Sequence, residues 1–136
     1  MSAMSDYLEN EILDLILGTG DFSLPSARQA GGVYLGLSVA SMAEDASGTE
    51  LTIGTDGYTR VLVAFDAASG GTTDNTSVID FPACSGNAWG SIGFWSIWDA
   101  ASSGNMLLHG SFAVAKTIQV SDVLRIAAGD LDVTAA

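Results

Sequence analysis

The side chains able to do chemistry are few and scattered. His109 is the single imidazole of the chain, and Ser111 follows two residues later on what reads as the same strand face. A histidine beside a hydroxyl, with carboxylates available, is the raw material of a nucleophilic triad. The sequence has no Gly-x-Ser-x-Gly elbow to present the serine, so the pair reads as a polar surface position and no catalytic residue is assigned. Cys84 is the only cysteine, which excludes an internal disulfide and a cysteine metal cluster. Gly18-Thr19-Gly20 hints at a phosphate loop, yet it lacks the P-loop lysine and follows a helix pattern, where it reads as a stop. Asp130 and Asp132 point the same way by strand pleating alone and lack calcium-loop spacing. Asp99 reads as the start of a turn through Ser102, Ser103 and Gly104, its carboxylate accepting backbone hydrogen bonds. The expectation is therefore no enzyme, no metal and no cofactor.

The elements that position these residues are short. From residue 6 to 17, Leu8, Ile12, Leu15 and Ile16 recur at helical spacing, with Asp6 and Glu9 set as a capping box and Gly18 as the stop. So short a helix is unstable alone, and its stripe must dock on its own domain or on a neighbouring subunit. Beyond residue 21, small and polar residues punctuate runs of β-branched and aromatic ones. Strands are predicted over 33–39, 59–65, 77–81, 92–98, 106–114, 116–120, 123–127 and 131–134. The fold class is mainly β: an antiparallel β-sandwich, jelly-roll-like, with a short N-terminal α-helix. The organisation is an N-terminal helical arm, residues 1–20, and a β-sandwich domain, residues 21–136.

Alternation assigns faces. Val61, Val63 and Phe65 share one; Met106, Leu108 and Phe112 share one, opposite Leu107, His109 and Ser111. Strand 92–98 places Ile92, Phe94 and Trp98 against Trp95 and Ile97, large apolar residues on both faces. Such a strand is either central and covered twice, or half of it is an oligomer contact. The second reading is preferred for Trp98. The candidate interface is Leu8, Ile12, Ile16, Phe94 and Trp98. The polar stretch 40–57, with Glu44, Asp45, Glu50 and Asp56, is expected to project from the domain.

The bulk properties narrow the partners. The 136 residues include 4 Lys+Arg against 16 Asp+Glu, a formal net charge of −12, with 48% hydrophobic residues. Phosphate contacts need Lys and Arg, so nucleic acid is excluded as a partner, and anionic membranes are disfavoured. The apolar surplus suggests burial between subunits. The start of the sequence has no basic segment ahead of an apolar run, and no secretory leader is expected.

Several stretches taken in order resemble a known family. They are Tyr-Leu-Glu-Asn-Glu-Ile-Leu-Asp-Leu-Ile-Leu-Gly at 7–18, Val-Tyr-Leu-Gly-Leu-Ser at 33–38, Gly57-Tyr58-Thr59-Arg60, Ala-Ala-Ser-Gly-Gly-Thr-Thr at 67–73 and Ile79-Asp80-Phe81-Pro82. Trp89-Gly90 follows, then Phe-Trp-Ser-Ile-Trp-Asp-Ala-Ala at 94–101, Ser-Gly-Asn-Met-Leu-Leu-His-Gly at 103–110 and Ala-Ala-Gly-Asp-Leu at 127–131. Together they resemble small tailed-bacteriophage virion proteins, tail-fibre-like or head-decoration proteins. The departures are stretch 40–57 and Trp98.

The resemblance implies a structural protein located in the virion and assembled in the host cytoplasm. Its partners would be copies of itself, a trimer favoured, and the major capsid protein or another virion protein. A capsid cement role that stabilises the head is the leading expectation. The alternative is a tail fibre or baseplate component, whose receptor contacts would fall on Asp56, Tyr58, Asn87 and Trp89. Replacing His109 by Ala is expected to leave particle binding unchanged; loss of any measurable turnover in that variant would restore the enzymatic reading.

Overall fold

The computed structural model describes residues 2–17 and 32–135. The elements in chain order are β1 (Ser2–Met4), α1 (Asp6–Leu17), β2 (Val33–Ser38), β3 (Val61–Val63), β4 (Thr72–Thr73), β5 (Ile79–Asp80), β6 (Gly90–Trp98), β7 (Met106–Ile118), β8 (Arg125–Ile126) and β9 (Val133–Thr134). Five strands form one antiparallel sheet in the order β1-β7-β6-β2-β3, and β4-β9 and β5-β8 make two small ladders. The chain is thus mainly β with one short helix. The predicted helix coincides with α1, and predicted strands 106–114 and 116–120 are one strand, β7.

The core lies between the large sheet and the small ladders. Register places Leu35 opposite Ile97 and Leu37 opposite Trp95, so these four side chains share a face. Against them pack Ile79, Phe81, Leu124, Ile126, Leu131 and Val133. Both sides of the resulting layer are apolar, which is what makes burial the main stabilising term, at about 25 cal/mol per Å² of apolar surface removed from water.

Two irregularities in β6–β7 change the faces that strict alternation assigns. Between Ile92 and Phe94 the register shifts, and Ile92 joins Trp95 and Ile97 in the core instead of sharing a face with Trp98. Between Ile97 and Trp98 it shifts again. Met106 packs with Trp98 on the second face, while Leu107 turns into the main core and Leu108 packs against it. A bulge inserts unpaired residues on one strand, so residues beyond it swap sides. Alternation cannot register that from sequence.

The second face of the sheet is covered as well. Stretch 40–57, expected to project, lies against it: Met42 is buried with Trp98 and Met106, Glu50 bridges to Ser38, and the Leu51 amide donates to the Leu37 carbonyl. β6 is therefore central and covered twice. The residues ahead of the helix, assigned to the arm by sequence, form edge strand β1 on β7. Ser2 also joins the two ends of the described chain, its hydroxyl donating to the Thr134 carbonyl at 2.5 Å and accepting from the Thr134 amide at 2.8 Å. The boundary between residues 20 and 21, and the Gly18-Thr19-Gly20 stop, lie outside the described residues.

The cap lies one residue before the expected one. Ser5, not Asp6, is the N-cap: its hydroxyl accepts from the Leu8 amide at 3.3 Å and donates to the Met106 carbonyl. A buried serine that serves helix and sheet together outcompetes a solvated aspartate at the next position. Asp6 and Glu9 in the first turn still complement the helix dipole. Ser5→Ala is expected to lower stability by about 1–2 kcal/mol, read as a lower urea midpoint with an unchanged slope; an unchanged midpoint would remove Ser5 from this role.

Candidate functional site

Among the described residues, the most connected polar group sits on the second face of the sheet. Arg60 follows the tight turn at Asp56 and Gly57, where both residues have positive φ. A side chain at position 57 would meet the Ala83 carbonyl at 2.6 Å, so glycine is required there for space as well as for conformation. The turn delivers Tyr58 and Arg60 beneath the sheet, 1% and 7% exposed.

Glu50 receives the guanidinium in a fork: Nε donates to Oε1 at 2.8 Å and Nη2 to Oε2 at 2.7 Å. Nη1 donates to the carbonyls of Ala100 and Ser103, and Cζ lies 3.7 Å from the centre of the Trp98 ring. A planar cation suits all three tasks, and a lysine would suit none of them equally. The Tyr58 hydroxyl donates to Glu50 Oε1 at 2.9 Å and accepts from the Leu37 amide at 2.8 Å. Burial, reinforced by the Glu50 charge, pushes the Tyr58 phenol well above its ordinary range. Gly36 leaves the room: a Cβ there would lie 2.7 Å from Glu50 Oε1.

This network fixes a loop. The two carbonyls that Arg60 holds belong to the turn between β6 and β7. The same turn is closed by Asp99, whose carboxylate accepts from the Asn105 amide at 2.7 Å and from Asn105 Nδ2 at 3.0 Å. The carboxylate of Asp99 thus accepts the backbone hydrogen bond that its turn motif predicts. Sequence reasoning passed over Glu50 and Arg60. The available signal was an arginine in an otherwise apolar run of a chain with very few cations.

The four residues expected to contact a receptor come together in one corner, held mainly by one another. Asp56 Oδ1 accepts from the Asn87 amide at 2.9 Å and from Asn87 Nδ2 at 3.1 Å, and the Trp89 indole donates to the Asp56 carbonyl at 2.9 Å. Tyr58 meets the Trp89 ring edge-on at 5.7 Å and stacks on Phe81 at 6.3 Å. Trp89 is 6% exposed, so neither aromatic presents an open face.

The interface residues divide. Leu8 and Tyr7 pack against the main core, and Ile12 is half-buried. Ile16 is 71% exposed. Phe94 is half-buried in a small cleft with Ser41, His109 and Ser111. Trp98 is covered by its own chain through Met42, Met106 and Arg60, which leaves little of the ring for a subunit contact. The sequence pattern exposed the ring; the fold-back of stretch 40–57 buries it.

The remaining chemical candidates are also placed. His109 Nε2 is buried without a hydrogen-bond partner, as is Ser38 Oγ, and no hydrogen bond joins His109 to Ser111. Cys84 is buried, with its thiol directed at the Asn87 carbonyl. Asn75 is a buried brace: its amide donates to the Ser77 and Ala127 carbonyls and accepts from the Leu131 amide. Among the described residues, no three His, Cys, Asp or Glu side chains are grouped to hold a metal ion, and no helix is long and apolar enough to cross a membrane.

The family described as Podophage GP4 fiber I protein gp80 matches residues 3–134. The chain belongs to that family. It is a structural protein of the tailed-phage virion, of the fibre type. No curated protein matches the sequence. The matched span runs from β1 to β9, and therefore includes both halves of the buried ion pair and the turn it holds.

Two outcomes follow from the network. Arg60→Met alone strands the Glu50 carboxylate and is expected to lower stability by about 3–5 kcal/mol, whereas Arg60→Met with Glu50→Gln recovers part of the loss; equal losses in chemical denaturation would refute the pairing. A phenol whose pKa is higher folded than unfolded gives stability that is complete below about pH 10 and lost above it. Tyr58 is therefore expected to ionise only as the chain unfolds in alkali. Ultraviolet titration checks this: all three tyrosines ionising near pH 10 with native circular dichroism would contradict it.

Proposed function

We propose that the protein is a packing subunit of the fibre apparatus on a tailed-phage particle, binding copies of itself and an adjoining virion protein rather than turning over a substrate. The single observation that carries this reading is the match to a fibre-protein family along residues 3–134. The internal geometry supports it. The best-organised polar residues, Glu50, Tyr58 and Arg60, hold backbone and aromatic groups of the same chain, which makes a stiff block suited to repeated contacts. The acidic surface keeps nucleic acid away from such a block during assembly.

A second reading is a cement protein spread over the capsid. Its support is the compact layering: the five-stranded sheet and the small ladders enclose one core, a shape that tiles as readily as it extends. The two readings place the protein at different ends of the particle. Gold-labelled antibody against the protein, imaged on intact virions, is expected to mark the tail or its fibres. Label spread evenly over the head would overturn the fibre reading and favour the capsid one.

A further inference from the structure

Asp56 is followed by glycine, and Asp56–Gly57 is the single Asp-Gly pair of the chain. That pair carries a chemistry of its own. Glycine has no Cβ to shield its backbone nitrogen, which makes it the least hindered internal nucleophile an aspartate can have beside it. Attack on the Asp56 Cγ forms an N–Cγ bond and closes a five-membered imide. One carboxyl oxygen leaves as water, taking the amide hydrogen and, from the carboxylate form, a proton from solvent. Water then opens the imide. Opening at Cγ restores aspartate; opening at the main-chain carbonyl leaves the chain running through Cβ and Cγ, a β-aspartyl linkage.

The fold holds the reacting atoms apart. The Tyr58 amide donates to the Thr55 carbonyl at 2.9 Å, with φ of 51° at Asp56 and 79° at Gly57. That is a type I′ turn, whose first central residue has ψ of about +30°. The Gly57 nitrogen then lies nearly opposite Cβ across the Cα–C bond. Ring closure needs the two nearly eclipsed, a rotation of roughly 150° from the turn geometry. The carboxylate is held as well: Oδ1 accepts from the Asn87 amide at 2.9 Å and from Asn87 Nδ2 at 3.1 Å. Gly86 makes room for it, since a Cβ there would lie 2.5 Å from Oδ1. The Asp56 carbonyl accepts from the Ser85 amide and from the Trp89 indole, each at 2.9 Å. Closing the ring therefore breaks the bonds to Asn87, Ser85 and Trp89 together.

We propose that Asp56–Gly57 is a site of spontaneous β-aspartyl rearrangement that the folded corner suppresses, so that the modification accumulates in chains whose corner has opened. The mark is then retained. A β-aspartyl link adds a methylene to the main chain and turns the Asp56 carbonyl into a carboxylate beside it. Ser85 and Trp89 lose the acceptor they share, and the turn no longer delivers Tyr58 and Arg60 beneath the sheet in register. A chain that has opened and reacted is kept from regaining its buried ion pair. This chemistry is the same whichever part of the particle carries the protein, so it can fail while the fibre reading stands, and the reverse.

Ageing the protein at neutral pH tests it, with one sample in native buffer and one unfolded in guanidinium chloride. The tryptic peptide ending at Arg60 is sequenced by electron-transfer fragmentation, which separates β-aspartate from aspartate at equal mass. The native sample is expected to gain β-aspartate at position 56 about tenfold or more slowly than the unfolded one, because reaction waits on local opening. Asn87→Ala protein with native circular dichroism is expected to gain it severalfold faster than wild type. Should that variant fail to fold, wild type in guanidinium below its unfolding transition takes its place, with the rate expected to climb as the corner loosens. Equal rates in native and unfolded samples, an unfolded chain that forms no β-aspartate, or a loosened corner that ages at the native rate would overturn the proposal.

Discussion

A guanidinium clamped between a carboxylate and an indole ring organises the second face of this protein. Arg60 is reached from Glu50 in stretch 40–57, from Trp98 on the central strand, and from the Ala100 and Ser103 carbonyls in the β6–β7 turn. These segments are far apart in sequence, and their hydrogen bonds converge on one side chain. Taking both charges out of water costs several kcal/mol per ion before their attraction is counted. The pair is tolerable because nearly every other polar atom around it is matched. The Tyr58 hydroxyl takes one lone pair of Glu50 and caps the Leu37 amide. The yield of such a network is specificity more than net energy: stretch 40–57 has one place to lie, and the central strand is sealed on both sides.

The opposite face obeys a different constraint. It is held by apolar contact among Leu35, Leu37, Trp95, Ile97 and the ladder residues, where volume and shape matter and direction matters little. The bulges in β6–β7 connect the two regimes. They allow Ile92 and Leu107 to enter the apolar core while Trp98 and Met106 go to the polar side, from strands whose plain alternation would have assigned them otherwise. A membership shared along residues 3–134 covers this whole arrangement.

Local signals in the sequence were legible where neighbours in the chain decide the outcome. The helix limits followed from the spacing of Leu8 and Ile12, and the Asp99 turn from a carboxylate placed to accept a backbone hydrogen bond. Strands β2, β6 and β7 followed from aromatic and β-branched runs. What was not legible depended on distant partners. Two-residue β4 has no pattern of its own and exists because Thr73 meets Val133. Ser5 became the cap through a carbonyl 101 positions away. The candidate site shows the same division: Asp56, Tyr58, Asn87 and Trp89 were picked as one set of exposed contacts and do converge, yet only the fold reveals that they are held by one another, with both aromatics buried. Glu50 and Arg60, ten positions apart across a turn, carry no motif that announces an ion pair.

The hydrogen bonds between Ser2 and Thr134 place the first and last described strands side by side. Two strands 132 positions apart are thereby neighbours at one edge of the fold. A short peptide closing that gap would let the polypeptide be reopened elsewhere, for instance in the exposed turn between Ser69 and Thr72, with each strand keeping its neighbours. The link also couples the two edges: whatever pulls on β1 pulls on β9, so a load applied at either strand is shared by the large sheet and the β4–β9 ladder.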